Sequence, residues 1–202
     1  MTTDLRLESR LDALVAEGWA IRERFENSLR DDDFHSFVAA DYDTVRAALQ
    51  LLRAPGRRFL EWGSASGIIT IMADLMGFEA SGIEIDGSLV GIARELAVRF
   101  DSGARFVTGS FLPAGYVRRA AGGDDDPETI SEGPSGYLQL GRALDDFDIV
   151  FAFPWPGDAP LMLDVMARYG RRDAVMLVYD VNDGVRAYRD RRLLRLDGAG
   201  PG

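Results

Sequence analysis

Cysteine and lysine are both absent from this chain of 202 residues, and histidine occurs once, at His35. Without cysteine there are no disulfides, no thiolate nucleophile and no zinc held by thiolates, a composition that fits a reducing compartment. Without lysine all 23 basic side chains are arginine. Guanidinium stays protonated, so His35 is the one basic side chain able to act as a general base. Long apolar runs are missing too: none approaches the ~20 residues of a membrane span. The opening segment MTTDLRLESRLD lacks a basic region followed by an apolar one, so no secretion signal is expected in it. A soluble cytoplasmic protein is the expectation. Positive charge is in deficit, with a net charge of −10. That disfavours nucleic acid as a partner, because its backbone is held by clustered cations; Arg118-Arg119 and the run from Arg189 to Arg195 are local exceptions. What is present is ordinary for a globular protein: 47% hydrophobic residues, in a length that suits one domain with a sizeable core.

The most informative stretch runs from Arg58 to Asp86. Phe59-Leu60-Glu61-Trp62 is an apolar run interrupted by one carboxylate, as expected of a short buried strand. Gly63-Ser64-Ala65-Ser66-Gly67 follows, small residues suited to a tight turn that a ligand can approach closely. Ile68 to Met76 then predicts a helix closed by Gly77, and Glu79 to Ile85 a second strand with Glu84 near its end. Strand, glycine turn, helix, strand, acid is a nucleotide-binding βαβ layout. Its turn and helix N-terminus receive the polar end of the ligand, and its acid accepts hydrogen bonds from ribose hydroxyls.

The spacing Glu61-x-Gly63-x-Ala65-x-Gly67 differs from the dinucleotide pattern GxGxxG. It resembles the first motif of the class I S-adenosylmethionine (SAM)-dependent methyltransferases, E/D-x-G-x-G-x-G, with alanine at position 65 where the family usually has glycine. Gly82-Ile83-Glu84-Ile85-Asp86 resembles that family's second motif. The resemblance implies a Rossmann-like α/β fold with a doubly wound, mostly parallel sheet and a short antiparallel C-terminal hairpin. It also implies a cofactor site drawn from Glu61, Gly63, Ser64, Ala65, Gly67, Glu84 and Ile85. After the third strand, Ala104 to Thr108, the family commonly has an aspartate that meets the adenine amino group. Ser110 stands there in this chain, with Phe111 beside it to pack on the ring.

Elsewhere the chain reads as follows. Residues 4 to 30 predict an amphipathic helix, with a break near Gly18, and Asp41 caps a second helix from Tyr42 to Leu52. Ser88 to Phe100 has helical spacing. Residues 119 to 136 are acidic and rich in glycine and proline, a surface loop. A short helix over Tyr137 to Leu144 leads into a nearly continuous apolar strand from Asp145 to Phe153, as expected of a central parallel strand covered on both faces. Pro154-Trp155-Pro156-Gly157 follows at its carboxyl end, where open α/β sheets hold their ligands. A helix over Ala159 to Tyr169, a fifth strand over Ala174 to Tyr179, and a minimal hairpin of Val185 to Tyr188 with Leu193 to Leu196 complete the pattern.

Residues 1–56 are expected to form a helical extension, which the resemblance places on the lid or substrate side and which could equally cover one face of the sheet; 57–196 are expected to form the SAM-binding domain, and 197–202 a disordered tail. Phe37, Tyr42, Phe153, Pro154, Trp155 and Pro156 are candidates for the substrate rim. Amino-methylating relatives carry N/D-P-P-Y/F at the fourth strand; Phe153 replaces the polar residue, which disfavours methylation of a base nitrogen or an amide through that motif. Asp41, Tyr42, Asp43 and Asp158, or His35, are the candidate catalytic groups, and no metal is called for. The implied function is methyl transfer from SAM to a small molecule or a protein side chain. A silent protein that binds SAM or its demethylated product as a sensor or partner subunit is the alternative. A nicotinamide-dependent oxidoreductase is disfavoured by the turn spacing and by the lack of a Tyr-x-x-x-Lys pair.

Overall fold

A computed structural model of the chain describes residues 2–28, 39–117 and 133–196, with side chains from residue 5 to 25 in the first segment. His35, Phe37, the Arg118-Arg119 pair, most of the 119–136 loop and the 197–202 tail lie outside the described residues.

The strands are β1 (Arg58–Trp62), β2 (Glu79–Glu84), β3 (Arg105–Thr108), β4 (Ile149–Ala152), β5 (Val175–Asp180), β6 (Gly184–Arg189) and β7 (Arg192–Leu194). They form one sheet in the order β3-β2-β1-β4-β5-β6-β7. The first five are parallel, and β6 and β7 return antiparallel as a meander. The order reverses at β1 and β4, which pair directly, Phe59 with Ile149 and Trp62 with Ala152. Ligands of open α/β sheets bind in the crevice outside the strand ends at this switch point.

Alternation along the strands builds two cores. Phe59, Ile149, Phe151, Val175, Leu177 and Tyr179 point to one face, and Leu60, Trp62, Val150, Ala152, Met176 and Val178 to the other. The first face is covered by α1 (Thr2–Ser28), α2 (Tyr42–Leu52), α3 (Ile68–Leu75) and α4 (Gly87–Arg99). The second is covered by α5 (Tyr137–Leu140) and α6 (Ala159–Tyr169). Burial on both sides explains why β4 and β5 read as unbroken apolar runs.

Three expectations need correction. The first helix does not break at Gly18. A Cβ there would stand 2.8 Å from the Tyr42 ring, so Gly18 lets α2 pack against a continuous α1. The fourth strand is shorter than Asp145 to Phe153, because Leu144–Asp146 makes a 3₁₀ turn in which Asp146 accepts from the Ala143 N–H at 3.0 Å. The helix from Tyr137 ends at Gly141, whose positive φ of 64° stops it after four residues. The hairpin is present, with its last strand only three residues long.

The N-terminal helices are part of the core rather than an appendage. Leu11, Leu14, Ile21, Val45 and Leu49 are buried in the same cluster as Phe59 and Ile71. Asp41 caps α2 as expected, accepting from the Asp43 and Thr44 N–H groups at 3.0 and 3.3 Å and from the Thr44 hydroxyl at 2.9 Å.

Candidate active site

The turn after β1 is fixed by backbone geometry and by two acids. Gly63 and Ser64 donate to the Ile83 carbonyl at 2.9 and 3.1 Å, and Gly67 donates to the Ser64 carbonyl at 2.7 Å. Gly63 has φ +68° with open space where a side chain would stand. Gly67 has φ +81°, and a Cβ there would meet the Phe106 ring at 2.7 Å and the Ala93 methyl at 2.8 Å. Ala65 also lies in the left-handed region, at φ 44°. The chain keeps the backbone that glycine favours at this position while carrying a methyl group.

Glu84, at the end of β2, ties the turn down. Its Oε2 accepts from the Ala65 N–H at 2.8 Å, and its Oε1 accepts from Ile85 and Asp86 at 2.7 and 3.0 Å. An ionised carboxylate offers about four lone-pair sites, so these three bonds leave one site open, on Oε2, which carries a single bond. Glu61 is buried behind the turn and accepts from the Thr70 hydroxyl at 2.5 Å. Burial pushes its carboxyl up to about 8, the Glu84 charge adds to the rise, and hydrogen bonds from Thr70 oppose it. Tyr42 sits close by, buried, with its phenol pushed well above its ordinary value by burial and by Glu61. It can donate a hydrogen bond but is a poor base.

Two adjacent spaces open at the switch point. A small inner cavity of about 50 Å³ is lined by Ala39, Ala40, Tyr42 and Glu61 and by the turn from Gly63 to Ser66. The outer cleft holds about 410 Å³ and shares Gly63, Ala65 and Phe153 with it. One end of the cleft is polar, with Glu84 beside Leu89. The other is walled by Phe153, Pro154, Trp155 and Pro156 and by Val178 to Val181. Phe153 meets Tyr179 edge to face at 4.8 Å. Among the described residues the charged side chains lining the two spaces are Glu61, Glu84 and Asp180, all acids.

The structure therefore brings Glu61, Gly63, Ser64, Ala65, Glu84, Tyr42 and the Phe153 to Pro156 rim to one place. It does not bring Ser110 and Phe111 there. Ser110 pairs with Ser135 and turns its hydroxyl to the Leu112 N–H at 3.1 Å. Phe111 stacks on Trp62 at 5.0 Å inside the second core. Asp43 is exposed on the first turn of α2, and Asp158 is buried at the start of α6; neither lines the cleft. Leu89, Tyr179 and Asp180 line it without having been expected to. Asp180 was findable: it closes β5 at its carboxyl end, the same signal that marked the Pro154 turn after β4.

The arrangement has known counterparts. No family model matches the chain. Over 104 residues it is 32% identical to the ribosomal protein L11 methyltransferase of Thermus thermophilus, a match covering 50% of this chain and 41% of that relative. The chain thus spans about two fifths of the length of the curated relative it matches. The RNA methyltransferase from Salinibacter ruber, solved in complex with S-adenosyl-L-homocysteine, aligns with a TM-score of 0.52 at 17% identity, over 71% of this chain and 78% of that one. The precorrin-6y C5,15-methyltransferase from Geobacter metallireducens aligns over 75% of this chain and 71% of its own, at 18% identity and a TM-score of 0.47. The fold is the Rossmann-like fold of the methyltransferases, a mostly parallel seven-stranded sheet ending in an antiparallel hairpin.

Proposed function

We propose that this chain is a SAM-dependent methyltransferase acting on a small molecule or a protein side chain. The observation that carries the proposal is the charge of the cleft. The glycine turn opens onto Glu61 and Glu84, with no cationic side chain among the described lining residues. A dinucleotide would bring a pyrophosphate to this turn, which the Glu84 carboxylate repels and no cation there neutralises; a ligand carrying a sulfonium and an ammonium is attracted by Glu84, and its own positive charge favours loss of the Glu61 proton. The turn has room for such a ligand, since Gly63 faces open space. In this reading Glu84 meets the ribose, Leu89 packs beside the base, and Glu61 with Tyr42 lies toward the amino-acid end.

SAM supplies a methyl group already bonded to a good leaving group. The protein's task is to align the acceptor with it and to exclude water. Phe153, Trp155 and the two prolines supply apolar walls for that purpose, and the absence of cysteine and lysine is no obstacle. Ala39, Ala40 and Tyr42 line the inner cavity, which supports a substrate-side role for the N-terminal extension. The net charge of −10 and the similarity to a methyltransferase of a ribosomal protein support a small or protein acceptor over nucleic acid, and the lack of cysteine supports a cytoplasmic setting. Calorimetric titration with SAM, S-adenosylhomocysteine and NAD tests the reading. Micromolar binding of both sulfur compounds and none of NAD is expected; no heat with either sulfur compound overturns it. Phe153, in place of a polar residue, favours the binder without transfer as second reading. Labelled SAM whose methyl group stays on the cofactor in extracts of the source organism would decide for it.

A further inference from the structure

From the aromatic end of the cleft we infer the acceptor's class: an amine, cationic before reaction, received by Asp180. The inference rests on the methyltransferase reading and deepens it. Three observations converge. Asp180 is the only charged side chain at this end of the cleft among the described residues, and the walls around it are Phe153, Trp155, Tyr179, two prolines and two valines. Its Oδ1 is held by the N–H groups of Asn182 and Asp183 at 2.8 and 3.2 Å, which fixes the carboxylate at the end of β5. No described hydrogen bond occupies its Oδ2.

A carboxylate held among aromatic rings is complementary to an ammonium, which gains from the charge and from the ring faces together. It is mismatched to a carboxylate or phosphate acceptor. An alcohol acceptor would call for a stronger base than a carboxylate; the chain has no lysine, and no histidine lines the cleft among the described residues. Glu84, at the other end, is already engaged by three backbone N–H groups. The step balances with Asp180 alone. The ammonium gives one proton to Asp180, and the amine lone pair forms a C–N bond to the methyl carbon of SAM. The C–S bond breaks with its electron pair going to sulfur, leaving a neutral thioether and a methylated ammonium. Asp180 then releases its proton to water.

The test uses the full chain saturated with S-adenosylhomocysteine and three probes of one shape: benzylamine, benzyl alcohol and phenylacetate. Their binding is read by calorimetry and by the fluorescence of the cleft tryptophan. Benzylamine is expected to bind at least tenfold more tightly than the other two. Asp180→Asn, whose amide oxygen can still accept from residues 182 and 183, is expected to erase that preference while leaving S-adenosylhomocysteine affinity within twofold. Equal binding of the three probes, preference for phenylacetate, or a preference that survives Asp180→Asn overturns the inference and leaves the methyltransferase reading standing. Failure of the protein to bind S-adenosylhomocysteine overturns both.

Discussion

The turn after β1 and the turn after β4 end neighbouring strands and face the same cleft, yet they are built differently. The first is specified atom by atom: its N–H groups reach Ile83 and Glu84, and its last glycine is pressed against Phe106 and Ala93. The second is specified by shape, with two prolines, a half-buried Phe153 and a Trp155 that is 36% exposed. A site that must hold one fixed ligand benefits from preorganised polar contacts. A site that must admit an acceptor and release its product benefits from walls. The contrast predicts that substitutions in the first turn change folding and donor affinity together, and that those in the second change transfer alone.

The largest effect should come from pH acting on Glu61. Its carboxyl is near 8 when folded and near 4.5 when exposed. The folded state therefore holds an extra proton between these values, and stability falls as pH rises from about 5 through 8. At about 1.4 kcal/mol for each pH unit, the span from 4.5 to about 8 bounds the loss at roughly 5 kcal/mol. Urea midpoints measured from pH 5 to 9 should show that decline, and Glu61→Gln should flatten it. A profile unchanged by the substitution would mean that water reaches the carboxylate.

Gly67→Ala comes next. The added methyl meets two buried groups below 3 Å at a positive φ, so overpacking and backbone strain add to about 3 kcal/mol of lost stability. Chemical denaturation measures it, and a wild-type midpoint would show that the turn relaxes. Glu84→Ala should weaken SAM about a hundredfold, close to 2.7 kcal/mol, by removing the ribose acceptor and orphaning the N–H of Ala65. Near-wild-type affinity would refute the ribose assignment. Across the cleft, Trp155→Ala should leave SAM affinity within about threefold and lower the transfer rate to a benzylamine probe about tenfold, because truncating an aromatic anchor costs on the order of 1–2 kcal/mol. A matching loss of SAM affinity would erase the distinction between the two turns.

The difference between the turns also explains what could be read from the sequence. The first left a spaced signature, because positive φ and close approach restrict the residue at each position; Glu61, Gly63, Gly67 and Glu84 were visible for that reason. Most strands and helices were visible through periodicity, α6 down to its ends, while the fourth strand and the helix from Tyr137 were expected to be longer than they are. Ser110 and Phe111 were expected at the adenine on the strength of their place after β3. The chain instead spends them on pairing with Ser135 and stacking on Trp62, long-range contacts that no local pattern encodes. Gly18 misled for a related reason: a glycine that breaks a helix and one that admits a tyrosine from another helix look the same until both helices are placed. The cleft wall at Val178 to Val181 is written as an ordinary apolar strand, and its role follows only from its position at the carboxyl edge beside β4.

The smallest effect bears on the one residue where the first turn departs from its own pattern. Ala65 sits at φ 44°, a region costing an alanine about 1 kcal/mol that a glycine does not incur. Ala65→Gly frees that strain but also loosens the unfolded chain, which offsets part of the gain. The net should be a stabilisation of roughly 0.5 kcal/mol, within reach of paired urea titrations. Donor affinity discriminates further. Ala65 lines both spaces, and the inner one is only about 50 Å³. If the Ala65 methyl narrows the space for the amino-acid end of SAM, Ala65→Gly should tighten binding by a factor of a few, and Ala65→Val should weaken it more than it destabilises the fold. If both variants change stability and leave affinity untouched, position 65 belongs to the scaffold of the turn, and only Gly63, Glu84 and Glu61 belong to the ligand.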